Sequence, residues 1–228
     1  MEDAEFTDRA VFLPEANALV LADLHIGRDA TSSVSLPLGE RQDLTARFDA
    51  LLDRFSPEEV VLAGDVLHAF DRLPDEATET FADLRTLAED ADADFIAVRG
   101  NHDTVLDRLV DPLDHHRLND GTLVCHGHEE PGSAAPRYIV GHDHPAIEIE
   151  GKRRPCYLWG PDTFRGSDVL VLPAFTRLAS GAVVNRMWGS DFQTPLVGSS
   201  SAFRPIVHDD EADETYRFPA LGKFREML

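Results

Sequence analysis

Three apolar runs in the first half of the chain each stop at a polar cluster, and the stretches between them follow a different period. Ala18-Leu19-Val20-Leu21-Ala22, Val60-Val61-Leu62-Ala63 and Phe95-Ile96-Ala97-Val98 are short and continuous, the pattern of buried strands. After a polar loop with Pro37 and Gly39, Leu44, Phe48, Leu51, Leu52 and Phe55 recur at helical spacing, and Ser56-Pro57 ends that helix. Pro74 and Asp75 open a second helical stretch with Phe81, Leu84 and Leu87 on its apolar face. Strand, helix, strand, helix, strand predicts an α/β fold.

From about Thr122 the rhythm changes to strands separated by short loops: Thr122–Cys125, Tyr138–Val140, Ala146–Ile149, Cys156–Trp159 and Val169–Leu172. A second, largely antiparallel sheet is expected there. Ser199 to Ser201 interrupt the pattern, and the stretch from His208 to Glu214 is polar and acidic, which predicts a loop or partly ordered arm. The chain of 228 residues thus reads as one sizeable domain over residues 1–198, with a C-terminal appendage over 199–228. No internal repeat is visible.

Charge adds a constraint on the environment. Forty-two Asp and Glu face 21 Lys and Arg, a formal net charge of -21, and only Lys152 and Lys223 among the cations are lysines. Excess carboxylate with almost no lysine is the composition of proteins from highly saline cytoplasm, where screening removes the self-repulsion. The two cysteines, Cys125 and Cys156, form no CxxC pattern and are expected to be buried and reduced. The acidic start, Met1-Glu2-Asp3-Ala4-Glu5, is followed by no signal-peptide run, and no stretch is apolar enough to span a membrane. The expected location is the cytoplasm, with no membrane partner.

Five clusters of candidate ligands close the apolar runs: Asp23 with His25, Asp65, Asn101 with His102, His126, and His142 with His144. Asp23 and His25 alternate along what is expected to be extended backbone, and so point to one side. Ligands in open α/β sheets bind at the carboxyl ends of strands, so the distribution argues for one shared site. Imidazoles, carboxylates and a carboxamide without thiolate suit Mn, Fe, Zn, Ni or Co. A shared carboxylate lets two divalent ions sit about 3.5–4 Å apart, clamp an in-line phosphoryl displacement and supply hydroxide near neutral pH. Hydrolysis of a phosphate ester is the chemistry implied.

Asp23-Leu24-His25, Gly64-Asp65, Gly100-Asn101-His102-Asp103, Cys125-His126-Gly127-His128 and Gly141-His142-Asp143-His144 resemble, in order and spacing, the calcineurin-like metallophosphoesterase superfamily. Leu21-Ala22 before Asp23, His68, Pro145, Pro155-Cys156 and Leu172-Pro173-Ala174-Phe175 are similar to the ligase-associated DNA damage response endonucleases and their archaeal relatives. The resemblance implies a sandwich of two mixed β-sheets flanked by helices, with a dinuclear centre on the loops at one edge. It implies that Asp23, His25 and His144 hold one ion, that Asn101, His126 and His142 hold the other, and that Asp65 bridges them. Manganese is the first choice of metal. His102 would protonate the leaving oxygen or steady the charge on phosphate. His126, directly before Gly127, takes the ligand position, leaving His128 near the substrate or behind the ligands. At position 68, where many superfamily members carry an Asp that orients the catalytic His, this chain has His68, so the partner that orients His102 is an open question. Asp103 and Asp143 are candidates for supporting roles, against the commoner fate of solvated loop carboxylates.

The implied activity is phosphodiester hydrolysis, with DNA as one candidate substrate, small molecules or nucleotides as the alternative, and a metal-stabilised interaction scaffold as the non-enzymatic one. The net charge argues against ordinary backbone binding of nucleic acid, which needs a basic patch. Lys152-Arg153-Arg154 is the one local basic cluster, either a footprint or a solvated hairpin turn. Aromatic residues near Trp188 and Phe192 leave a homodimer contact open.

The charge reading carries its own test. Stability measured by chemical or thermal unfolding is expected to rise steeply with KCl concentration, and a protein equally stable without salt would contradict a halophilic origin.

Overall fold

The computed structural model describes residues 1, 3–28, 39–68 and 73–227. The expected polar loop around Pro37 lies outside the described residues. The first sheet holds β1 (Glu5–Thr7), β2 (Ala10–Leu13), β3 (Ala18–Leu21), β4 (Glu59–Ala63) and β5 (Asp94–Val98), in that order across the sheet. β3, β4 and β5 run parallel, while β1 and β2 extend the sheet antiparallel. Helices α1 (Glu40–Phe55) and α2 (Asp75–Asp90) connect the parallel strands. Ser56 closes α1 in the left-handed conformation (φ 44°), its amide donating to the Leu52 carbonyl. Asp75 and Glu76 place carboxylates at the positive end of α2.

Beyond β5 come β6 (His115–Arg117), β7 (Leu123–Cys125), β8 (Arg137–Val140), β9 (Pro145–Ile149), β10 (Lys152–Pro155), β11 (Tyr157–Phe164) and β12 (Ser167–Val171). They are followed by β13 (Ala182–Val183), β14 (Arg204–Asp209), β15 (Glu214–Arg217) and α3 (Leu221–Arg225). The second sheet has seven strands in the order β15-β14-β11-β12-β8-β7-β6. Its pairings are mostly antiparallel, as expected, but β7, β8 and β12 form a parallel core. A small third sheet, β10-β9-β13, takes up the Ala146–Ile149 run.

Alternation along the strands accounts for the layering. Leu19, Leu21, Val60 and Leu62 face Leu44, Phe48, Phe81 and Leu84 of the helices. Their neighbours Val20, Val61 and Val98 face the second sheet through Val124, Ile139 and Leu170. Residues two apart in a strand share a face, so continuous apolar runs serve both cores at once. The outer face of the second sheet carries Leu123, Val140 and Val169 and is covered by Phe203, Leu221 and Phe224.

Two expectations differ from the structure. The acidic stretch from His208 to Glu214 joins two paired strands, with His208 opposite Thr215 and Asp209 opposite Glu214. Ile206 and Val207 bury their side chains and hold this polar hairpin in the sheet. Phe192 is buried, and only Trp188, 60% exposed with the Arg225 guanidinium 4.5 Å from its ring centre, offers aromatic surface there. Cys125 and Cys156 are buried and unpaired, and among the described residues no helix is long and apolar enough to cross a membrane.

Candidate metal centre

The carboxyl ends of β3, β4 and β5 in one sheet and of β7 and β8 in the other carry the five clusters. Asp23 and His25 follow β3, Asp65 follows β4, Asn101 and His102 follow β5, His126 follows β7, and His142 and His144 lie between β8 and β9. The backbone there is not extended. Asp23, His25, Asp65, His142 and His144 take φ of 55°, 47°, 48°, 71° and 45°, in the left-handed region that disfavours a Cβ by about 1–2 kcal/mol per residue. Asp23 and His25 therefore converge through two left-handed residues flanking the fully buried Leu24, not through strand alternation.

The donor atoms gather in two groups. In the first, His144 Nε2 is 3.2 Å from Asp23 Oδ1 and 3.3 Å from His25 Nε2. In the second, His126 Nε2 is 3.0 Å from Asn101 Oδ1, 3.1 Å from His142 Nδ1 and 3.4 Å from Asp65 Oδ1. Asp65 turns its other oxygen to the first group, with Oδ2 3.9 Å from His25 Nε2. All seven expected ligands thus stand in one constellation. His126 Nδ1 lies 3.2 Å from the Ala63 carbonyl, which fixes the proton on that nitrogen and leaves the Nε2 lone pair facing the second group. Lone pairs converging this closely, with few protons to share, are what a divalent cation accommodates. The donor set fits the group that the sequence implies.

Close approach of the loops depends on glycines. A Cβ on Gly100 would lie 2.2 Å from the Asp65 amide nitrogen and Oδ1, and one on Gly141 would lie 2.5 Å from Asp23 Oδ2. Gly100 is required for that approach rather than for a turn.

Buried carboxylates hold the loops from behind. Asp103 accepts the amides of Leu67 and Gly100, each at 2.8 Å, and of Val66 at 3.2 Å, tying the β4 loop to the β5 loop. Asp143 accepts the amides of Gln193 and Thr194 at 2.8 and 3.1 Å. Neither is a solvated loop residue. Glu40, which the sequence reading did not single out, accepts the amides of Gly27 and Arg28 at 2.7 and 3.1 Å and so steadies the turn after His25. Asp65 Oδ1 accepts the His102 amide at 2.9 Å, and Asp23 Oδ2 accepts the His142 amide at 3.0 Å, linking the two sheets.

His102 stands partly exposed beside the first group, its Nε2 3.9 Å from Asp65 Oδ2. The His68 ring is stacked on it at 6.4 Å between centroids and 13° between planes. Where a carboxylate was missing from the motif, a second imidazole stands, also 5.5 Å edge-on from His25. These side chains and Asn101 line a cleft of about 460 Å³. His128 lies on the other side of His126, 5.2 Å between rings, beside a second cavity of about 520 Å³.

Electrostatics couples the groups. Burial alone would raise the Asp23 carboxyl, but the charge and hydrogen bond of His144, with His126 and His25, hold it below its usual range. Burial, reinforced by the charge of Asp23, pushes Asp65 up to about 8. Burial lowers His25 to about 3 and His126 to about 4. Burial works against His144, yet the nearby Asp23 carboxylate raises it.

The pH dependence of the chelator-treated protein follows. The folded state binds more protons than the unfolded through Asp65 from pH 3.8 to about 8, and through His144 above 6.5, so both contributions weaken stability as pH rises. His25 and His126 act oppositely below pH 6.5, where the unfolded imidazoles bind the extra protons and stability falls as pH falls. Melting temperature is expected to decline between pH 6.5 and about 8 in chelated protein, and Mn²⁺ is expected to abolish the decline while releasing protons, read by calorimetry in buffers of different ionisation enthalpy. Asp103→Ala leaves three buried amides without their acceptor and is expected to destabilise by about 3 kcal/mol or more and to weaken Mn²⁺ binding, measured by denaturant unfolding and titration.

The crystal structure of Pseudomonas putida nuclease MPE superposes with a TM-score of 0.66 at 24% identity, covering 92% of each chain. Yfce, a phosphoesterase from E. coli, aligns with a TM-score of 0.47 at 16% identity over 89% of this chain and 98% of its own. No curated protein matches the sequence. The family profile described as calcineurin-like phosphoesterase matches residues 16–174, more than half of the chain and every cluster described above, and the protein belongs to that family of metal-dependent hydrolases.

Proposed function

We propose that the protein is a phosphodiesterase in which Asp23, His25 and His144 hold one divalent ion, Asn101, His126 and His142 hold a second, and Asp65 bridges the two. The observation that carries this reading is the division of the Asp65 carboxylate, Oδ1 toward His126 and Oδ2 toward His25. Manganese suits the imidazole, carboxylate and carboxamide donors, as do Fe, Zn, Ni and Co. Two ions held there would neutralise phosphate charge and make hydroxide accessible near neutral pH.

The chain's own residues supply orientation and a proton. His102, on the open side of the cleft, is placed to protonate the leaving oxygen or to hydrogen-bond a phosphate oxygen. His68 stands parallel to it, 6.4 Å between ring centres. Asn101 has its carboxamide oxygen 3.0 Å from His126 Nε2. The likeness to a protein named as a nuclease supports keeping nucleic acid among the candidate substrates.

Bis(p-nitrophenyl) phosphate with Mn²⁺ in high KCl provides the first test, followed by a panel of DNA and of cyclic and linear nucleotides. His102→Ala is expected to lower kcat by roughly 10²- to 10⁴-fold while metal content is unchanged. Stoichiometric metal binding with no turnover on any of these esters would replace the enzyme by an interaction scaffold, and turnover of mononucleotides alone would replace the polymer substrate by a small molecule.

A further inference from the structure

Two charged residues interrupt the buried face of α1. Leu44, Phe48, Leu51 and Leu52 lie on that face, and Glu40 and Arg47 stand among them, each only 7% exposed. A charge taken out of water is costly unless its donors or acceptors are committed. Glu40 accepts the amides of Gly27 and Arg28 in the turn after His25. Arg47, about two helical turns further along, commits every guanidinium nitrogen. Nε donates to Asp8 Oδ2 at 2.7 Å and Nη2 to the Asp8 carbonyl at 2.9 Å. Nη1 donates to the Phe175 carbonyl at 2.8 Å and to Asp43 Oδ2 at 3.1 Å. The guanidinium also lies over the Phe175 ring, 4.0 Å from its centre.

Phe175 carries this contact to the metal centre. Its ring is fully buried in the core that holds Leu24. Its amide donates to the Ala22 carbonyl at 2.8 Å, and the next amide, of Thr176, donates to the Asp23 carbonyl at 3.4 Å. The Asp23 amide donates to the Gly64 carbonyl at 3.1 Å. The peptide groups on both sides of Asp23 are therefore held, which keeps that residue at its left-handed φ of 55°. The loop that does the holding is itself anchored by arginines. Arg9 Nη1 binds the carbonyls of Ala174 and Thr176 at 3.3 and 2.5 Å, and Arg47 binds the Phe175 carbonyl between them. Arg9 precedes β2, so Arg47 is the anchor that ties the loop to α1. Asn101, His126 and His142 stand on other loops, after β5, β7 and β8.

We propose that Arg47 is a positioning residue for the first metal site, acting through Phe175 on the backbone of Asp23. The inference rests on the assignment of Asp23, His25 and His144 to one ion, and it makes the affinity for that ion, rather than for its neighbour, depend on α1. Groups that orient a metal ligand from behind contribute about 10- to 100-fold to affinity, because a ligand displaced from its lone-pair direction binds poorly. A guanidinium suits this task where an ammonium does not, since its fixed fork reaches Asp8, Asp43 and Phe175 at once.

Calorimetric titration with Mn²⁺ tests the proposal once the two sites are separated, with Asn101→Ala leaving the first and His144→Ala leaving the second. Arg47→Met keeps the length of the side chain and removes its donors. It is expected to weaken Mn²⁺ binding about tenfold or more in the Asn101→Ala protein and to leave it unchanged in the His144→Ala protein. Arg47→Lys retains the charge and is expected to recover part of the loss. Phe48→Leu, on the same face of α1, is expected to lower the melting temperature without favouring either site. Equal weakening in both backgrounds, weakening in neither, or the same selectivity from Phe48→Leu would overturn the proposal. If Arg47→Met fails to fold, Arg47→Lys decides by the same comparison with a smaller factor. If the wild type binds fewer than two Mn²⁺ ions, the dinuclear reading fails, and hydrogen exchange of the metal-free protein decides the positioning role separately. Faster exchange of the Phe175 and Thr176 amides in Arg47→Lys than in Phe48→Leu supports that role, and equal exchange refutes it.

Discussion

The Asp65 carboxylate faces donors from both sheets, and the arrangement of the loops follows from what it takes to bury it there. Oδ1 lies 3.4 Å from an imidazole on the second sheet and also accepts the His102 amide, while Oδ2 faces the imidazole at the end of β3. Asp23 is close enough to raise it, so two carboxylates and four imidazoles share a volume that could not hold their full negative charge unaided. Side chains had to be removed to let the backbones approach. Residue 100 can lie against Asp65, and residue 141 against Asp23, only as glycine.

That concentration of polar groups strains the backbone, and the rest of the fold over-determines it. Five site residues sit in the left-handed region, where each is disfavoured by about 1–2 kcal/mol. Against this stand two parallel strand sets with buried faces and three carboxylates that accept loop amides. Asp103, Asp143 and Glu40 each bind two or more amides of a loop that carries a ligand or adjoins one. A carboxylate accepting several amides acts as a rigid staple, because charge-assisted hydrogen bonds are roughly twice as strong as neutral ones. Asp103 and Glu40 hold the strained positions from outside the cleft, whereas Asp143 also lines it.

The polar clusters were legible because each ends a strand that is buried on both faces, so the apolar run and the polar break are both sharp. Helices α1 and α2 were legible by their period, down to Ser56 at the end of one and Asp75 at the start of the other. The means by which Asp23 and His25 converge was not legible, since left-handed φ at a non-glycine residue leaves no composition signal. Glu40 shares that limit: a carboxylate that binds the amides of a neighbouring turn looks like any surface acid in a chain with 42 of them, whereas Asp103 and Asp143 stood out only because they sit inside the histidine clusters. The β14–β15 hairpin was hidden for a different reason. Its turn is acidic and its buried residues, Pro205, Ile206 and Val207, are consecutive and only three, too few to show a period.

The acidic surface acts over a distance that the salt concentration sets. At low ionic strength a charge of -21 repels any polyanion well before it reaches the cleft. In molar salt the screening length falls to about 3 Å, and that long-range barrier disappears. Interactions inside a partly buried cleft operate at contact and are screened less. The same salt that relieves repulsion among surface carboxylates would therefore lower the barrier to an anionic phosphate ester approaching the site.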